Sequence, residues 1–151
     1  MITYEYVNPN DYIVRADKSK HDPEDLTRLW AQMSLTPRTI DLGTIMTVAI
    51  LSHLFVVRDG QDRIQAMATL CVAPTLHGTI GFIEDVVVDE SLRGQHVGEG
   101  LMRRLIRLAK NSEVSRIELT SKPKRVAANR LYQKLGFQLR PNDTNHYTLP
   151  L

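Results

Sequence analysis

Nine residues, Leu92-Arg93-Gly94-Gln95-His96-Val97-Gly98-Glu99-Gly100, combine glycines, a cation and the start of a helical pattern. They follow an apolar run, Phe82-Ile83-Glu84-Asp85-Val86-Val87-Val88, and precede an amphipathic helix pattern from Val97 to about Asn111. A strand that ends in a glycine-bearing loop and opens a helix suits a pyrophosphate. Glycine lets the backbone approach the phosphate oxygens, and the free N–H groups and dipole of the helix N-terminus favour negative charge. The same letters suit a bare strand-to-helix turn, with Gly94 and Gly98 serving only its geometry, and one glycine motif does not separate the two readings. Two further groups carry chemistry: the adjacent carboxylates Glu84-Asp85 on the strand before the loop, and Tyr132 in Leu131-Tyr132-Gln133-Lys134-Leu135-Gly136-Phe137.

The elements that must position these groups are legible as patterns. The chain has 151 residues, which points to one domain spanning 1–151 around one core. Asp22 can cap a first helix and Pro23 suits its first position, after which Leu26, Leu29, Trp30 and Met33 recur on one face. A second helix runs from Asp41 to about Leu51. Strands at His53–Arg58 and Arg63–Val72 flank the turn Asp59-Gly60-Gln61-Asp62, and Pro74–Gly78 turns into a third strand, Thr79–Val88. The helix from Val97 buries Val97, Leu101, Leu105 and Leu108. Arg116–Ser121 reads as a strand, and a last helix from about Val126 to Leu135 stops at Gly136. Short strands are expected at Ile2–Val7 and Tyr12–Arg15 around the turn-like Asn8-Pro9-Asn10-Asp11, and again at Phe137–Arg140 and His146–Leu149. The sum is an α/β chain, a mixed sheet with helices on its faces.

Composition narrows the function classes. Hydrophobic residues make up 42% and charged residues 24%, an ordinary globular balance. No apolar run reaches membrane-spanning length; the most apolar window, Thr44–Val57, is broken by Thr47, Ser52 and His53. The start, Met-Ile-Thr-Tyr-Glu-Tyr, lacks a basic region followed by an apolar one, so no signal peptide is expected. Cys71 is alone, which excludes an internal disulfide and fits a reducing cytoplasm. A net charge of +2 is too small to argue for nucleic acid. His21, His53, His77 and His146 show no metal-ligand spacing, and Cys71 reads as a core residue.

The two motifs at their spacing, Val88-x4-Arg93-Gly94-x3-Gly98 and then Leu131-Tyr132-x3-Gly136-Phe137, resemble the GNAT superfamily of acetyl-coenzyme A-dependent N-acetyltransferases. The resemblance is carried by roughly residues 53 to 149. It implies a mixed sheet with splayed central strands and helices on both faces. The family's loop pattern, Arg/Gln-x-x-Gly-x-Gly/Ala, falls on Arg93-Gly94-Gln95-His96-Val97-Gly98, with His96 where glycine is usual. A second frame, Gln95 to Gly100, fits the letters but sits two residues further from the strand. The resemblance assigns Arg93, Gly94, Gln95, His96, Val97, Gly98 and Glu99 to the coenzyme pyrophosphate. It assigns Val86, Val87 and Val88 to backbone pairing with the pantetheine arm.

The resemblance also makes Tyr132 the general acid for the leaving thiolate. Glu84, which by alternation would share a face with Val86 and Val88, becomes the base or amine binder, with Asp85 as a second substrate contact. A glutamate that some relatives use in the next strand is Thr120 here. The asparagine often found seven residues before the tyrosine is Arg125, which, with Lys122 and Lys124 nearby, would meet a coenzyme phosphate. The segment Ile83–Val88 with Arg93-Gly94-Gln95 is similar to glucosamine-6-phosphate N-acetyltransferases, but Leu119-Thr120-Ser121 departs from their later strand. Small bacterial GNAT proteins share Glu-Leu-Thr-Ser, Arg-x-x-Ala and Leu-Tyr-x-x-Leu-Gly-Phe. The implied acceptor is a primary amine of a small molecule, an amino sugar first, bound by the two early helices, the loop between them and the strand-strand loop near the C-terminus. Peptide acetylation and a non-catalytic acyl-coenzyme A-binding module stay open. So does a homodimer, common in this superfamily. No metal, nucleic acid or membrane is implied.

Overall fold

Alternating apolar residues on successive strands need a partner layer on each face, and the chain supplies helices for both. The computed structural model describes residues 1–8, 18–140 and 149. By its internal contacts the chain divides into two units, Met1–Thr120 and Ser121–Leu151. The first holds strands β1 (Thr3–Tyr6), β2 (His53–Arg58), β3 (Ile64–Thr75), β4 (Gly78–Val88) and β5 (Arg116–Leu119), and helices α1 (Asp22–Met33), α2 (Leu42–Leu51) and α3 (Val97–Asn111). The second holds α4 (Val126–Lys134). One sheet has the order β1-β2-β3-β4-β5, antiparallel through β4. β5 runs parallel to β4, as the crossover through α3 requires.

Leu26 and Leu29 of α1, Ile45 and Ala49 of α2, Leu54, Val56, Ile64, Met67 and Val87 form one buried cluster with Val7. The alternate residues Val57, Ala66, Ala68 and Leu70 are equally buried, and α3 packs on β2, β3 and β4 with Leu101, Met102 and Leu105 inside. In α3 the buried set includes Met102 and Ala109, whereas Leu108, expected there, is only half-buried.

Two local expectations are corrected. Asp22 lies within α1 and not at its cap; the preceding His21 makes no side-chain capping bond. The Asp22 carboxylate instead meets the Arg58 guanidinium at two points, both 2.8 Å, and is buried with it. That bidentate geometry offers more than one backbone N–H could. Burial alone would lower the Arg58 pKa, but Asp22 and Glu5 more than offset it and raise it. Pro74 is not in a turn: β3 runs on to Thr75, and the turn is Leu76-His77. The β2 ladder stops at Leu70, so β3 is an edge strand beyond it and tolerates proline.

A third correction bears on the site. Thr69 opposes Glu84 and Met67 opposes Val87, so Ala68 faces two residues, Asp85 and Val86. This is a β-bulge, with Asp85 at φ +56°, a left-handed conformation that aspartate tolerates. The extra residue shifts the alternation. Glu84 shares a face with Val87, through Thr69 and Met67, and not with Val86 and Val88.

Phe137–Arg140, expected as a strand, has no regular structure. The expected strand Tyr12–Arg15 and residues 146–148 of the last one lie outside the described residues. No helix among the described residues is long and apolar enough to cross a membrane.

Removing Arg58 should strand a buried carboxylate. Arg58→Ala is expected to cost about 3–5 kcal/mol, and the double variant Arg58→Met, Asp22→Leu clearly less. Urea unfolding of the three proteins checks this, and equal losses in the single and double variants would contradict it.

Candidate functional site

The glycine loop is held at its entry by one carboxylate. Asp89 follows β4, and its Oδ1 accepts from the Ser91 N–H at 3.0 Å and the Ser91 hydroxyl at 2.7 Å. Its Oδ2 accepts from Gln32 Nε2 at 2.9 Å and from the Arg28 guanidinium. Gln32 returns a bond, its Oε1 accepting from the Glu90 N–H at 3.1 Å. Burial would raise the Asp89 carboxyl, but Ser91, Gln32 and Arg28 hold it down at about 2. The loop entry is therefore tied to α1.

Beyond a short 3-10 turn, Glu90–Leu92, the chain reverses through Arg93-Gly94-Gln95-His96 into α3. Gly94 has φ +78° and a Cβ there would meet nothing within 4 Å, so open space lies beside its backbone. His96 precedes the helix at φ +59°, ψ +10°, and makes no side-chain capping bond. The first N–H groups of the helix, from Val97 on, thus lack both an intrahelical acceptor and a capping side chain. These are the features of an anion cradle. Left-handed backbone at His96, with Gly98 already helical, fits the frame that begins at Arg93. Gly100 has a different use. A Cβ there would collide with the Tyr4 hydroxyl, and Arg104 covers the Tyr4 ring from 3.7 Å. Arg93 lies 3.4 Å from Glu90, and Glu99 engages Arg103 at 2.8 Å with His96 Nδ1 at 3.4 Å.

The strand leading to the loop has an open side. β5 pairs with Ile80–Ile83 only, so Glu84–Val88, including Val86, Val87 and Val88, have no β5 partner. β5 ends at Leu119, opposite Ile83, and β4 runs on past it.

Glu84 and Asp85 are the first residues of β4 beyond the last β5 pair. Glu84 is exposed, and partial desolvation together with the Asp85 charge raises its carboxyl above the usual value. Asp85 is half-buried and likewise raised by burial, against the Thr69 hydroxyl bond at 3.3 Å and the positive charge of Arg38. Asp85 lines a pocket of about 90 Å³ with Trp30, Arg38, Ile40, Val48 and Leu54. Trp30 lies on the first helix and Arg38 in the loop after it, both parts of the expected acceptor pocket, but the sequence singled out neither side chain for it.

In the second unit, α4 carries Tyr132, half-buried, with the Phe137 ring edge-on at 6.0 Å. Burial raises its phenol pKa, and Arg125 opposes this. Arg125 stands at the N-cap of α4, where its own N–H donates to Lys122 O at 3.0 Å. Asn129, one turn on, donates to Lys122 O and Pro123 O and ties the loop to the helix.

The profile of the Acetyltransferase (GNAT) family matches residues 20–137. The chain belongs to the GNAT family. Its match spans residues of both units. Among curated relatives, an N-acetylaspartate synthetase from Danio rerio is 38% identical over 63 residues, 42% of this chain and 22% of that protein. A glucosamine 6-phosphate N-acetyltransferase from Trypanosoma brucei brucei is 37% identical over 79 residues, 50% of this chain and 52% of that protein. The matched stretch thus spans at most about half of either relative. An acetyltransferase from Clostridium acetobutylicum, solved with acetyl-CoA, shares the fold with a TM-score of 0.69 at 19% identity, covering 98% of this chain and 96% of that one. Among the described residues of this GNAT chain no group of His, Cys, Asp and Glu could hold a metal ion. Cys71 is half-buried, its Sγ 3.4 Å from Ser52 Oγ.

Two stability measurements test the loop. His96→Gly should stabilise the fold by about 0.5 kcal/mol and His96→Val destabilise it by more than about 1 kcal/mol. A neutral valine variant in urea unfolding would show that His96 is not held left-handed. Ionised Asp89 contributes stability that is fully present above pH ~4 and lost as pH falls toward 2. Asp89→Asn should remove that part of the acid limb in unfolding curves recorded between pH 5 and pH 2 (roughly the window this shift spans).

Proposed function

We propose that this GNAT-family chain transfers the acetyl group of acetyl-coenzyme A to a primary amine of a small molecule, with an amino sugar as the first candidate. The observation that carries the reading is the α3 N-terminus: uncapped, opened by a left-handed His96 and delivered by a strand whose outer edge has no β5 partner. Backbone N–H groups of Arg93–Glu99 bind the pyrophosphate, and Val86, Val87 and Val88 pair with the pantetheine arm through their backbones. Arg125 adds a cation for a coenzyme phosphate. The family match and the neighbour solved with acetyl-CoA support the choice of cosubstrate.

The amine nitrogen attacks the thioester carbonyl in a ternary complex. The carbon–sulfur bond breaks, and the Tyr132 hydroxyl supplies the proton that the thiolate takes. Glu84 accepts the proton that the amine loses, directly or through water. Its raised pKa makes it a better base than an ordinary carboxylate. Asp85 holds the ammonium form of the acceptor before it is deprotonated. The Tyr132 assignment rests on the Leu131-Tyr132-x3-Gly136-Phe137 motif and on burial that keeps the phenol protonated.

Thiol release from acetyl-coenzyme A against a panel of amino sugars, polyamines, amino acids and peptides tests the activity. Tyr132→Phe should bind the cosubstrate with unchanged affinity and lose about 10²–10⁴ in kcat. In the wild type, kcat/KM should fall as pH drops through a carboxyl pKa above the ordinary glutamate value, and Glu84→Gln should lose that limb. Unchanged rates in both variants would overturn the mechanism. Cosubstrate binding without turnover of any amine would turn the chain into an acyl-coenzyme A-binding module.

A further inference from the structure

The pocket at Asp85 holds two opposite charges that do not satisfy each other. Arg38 makes no hydrogen bond or ion pair among the described residues; its guanidinium lies over the Trp30 ring, 5.7 Å from the centroid. Asp85 has the Thr69 hydroxyl but, among the described residues, no cation within ion-pair distance. Elsewhere in this unit, buried or half-buried carboxylates find direct cations: Asp22 with Arg58, Asp25 with Arg63, Asp89 with Arg28. Half-buried Asp85 is the contrast, and Arg38 stands exposed at the pocket rim. The backbone on either side of Arg38 is tied down. Trp30 Nε1 donates to Thr36 O at 2.9 Å, and the Ile40 N–H donates to Thr27 Oγ1 at 2.9 Å. These bonds pin the segment around Arg38 to α1 from both sides. Apart from Thr44 and Trp30, the remaining wall (Ile40, Ile45, Val48, Leu54 and Met67) is aliphatic, so a bound group finds its charged contacts only at Asp85 and Arg38. The pocket's volume of about 90 Å³ is that of roughly three waters, which suits the head of a small molecule and not an extended chain.

We infer that this pocket selects an acceptor that carries an anionic group beside its amine, with the ammonium at Asp85 and a carboxylate or phosphate at Arg38. This deepens the reading above and rests on it for the place of the amine. The Trp30 ring attracts the guanidinium without taking any of its N–H donors, which leaves them for contact with an anion. A neutral or purely cationic amine would satisfy Asp85 and leave Arg38 facing it, so the pocket discriminates by repulsion as well as attraction.

The test compares matched acceptors: glucosamine with glucosamine 6-phosphate, an amino acid with its amide, and spermidine as a polycation. The wild type should prefer the anionic member of a pair by at least about tenfold in kcat/KM. Which pair shows the preference distinguishes phosphate from carboxylate. Arg38→Ala should raise KM for that acceptor by a similar factor, abolish its advantage over the neutral twin, and be partly rescued by Arg38→Lys. Calorimetric titration of the same amines, with coenzyme A present, reads the pocket apart from turnover. Arg38-dependent binding without acetylation would uphold the pocket and overturn the transferase reading. Acetylation with no preference for the anion, a preference that survives in Arg38→Ala, or no binding of any anionic amine would overturn the inference.

Discussion

The bulge at Asp85-Val86 is the constraint on which the site depends. One extra residue in β4 divides the strand into two parts with different duties. The first part, Ile80–Ile83, is sandwiched between β3 and β5. The second, Val86–Val88, keeps β3 but has no β5 partner, the edge proposed to pair with the pantetheine arm. The bulge also re-phases the side chains. It turns Val87 into the core beneath α1 and α2, and it aims Asp85 into the pocket with Arg38. A regular strand would do none of these things at once. A positive φ at a non-glycine residue costs of the order of 1–3 kcal/mol, and its presence beside a pocket is where such strain is usually found.

The ionic contacts make this arrangement rigid. The acidic first turn of α1 is anchored to the β2–β3 hairpin by Arg58 and Arg63, with the Asp25 carboxylate also accepting from the Ile64 N–H at 2.9 Å. The following turns of the same helix reach the far end of β4 through Arg28 and Gln32 to Asp89. One helix therefore links the hairpin, the loop entry and, through Trp30, the pocket rim. Buried ion pairs are a modest source of stability against an apolar alternative, but they hold geometry because any misfit leaves a charge without water. Here that geometry concerns the backbone donors at Asp89–Gly98.

Much of the order was legible because each element announces itself locally. Val97–Asn111 shows its helical stripe, Asp59-Gly60-Gln61-Asp62 its hairpin, and the loop and Tyr132 motifs their spacing. The misreadings arise where a distant partner outweighs a local preference. Asp22 looks like a cap until Arg58, far away in the sequence, takes its carboxylate. Pro74 looks like a turn until the early end of the β2 ladder leaves β3 an edge. Alternation fails at Asp85 because a bulge has no signature in Glu-Asp-Val-Val. Arg38 was illegible for the same reason: a cation in a loop becomes meaningful only when a carboxylate from another element enters its pocket. Family resemblance supplied the roles of Glu84 and Tyr132, which no periodicity could assign.

The uncapped N-terminus of α3, with the loop before it, is the proposed seat of the coenzyme pyrophosphate. Calorimetric titration of the full chain with acetyl-coenzyme A and with acetyl-pantetheine, which lacks the pyrophosphate, tests this directly. The account predicts that acetyl-coenzyme A binds at least about a hundredfold more tightly, as several charge-assisted N–H contacts require. Equal affinity for the two ligands would contradict it and reduce the loop to a turn.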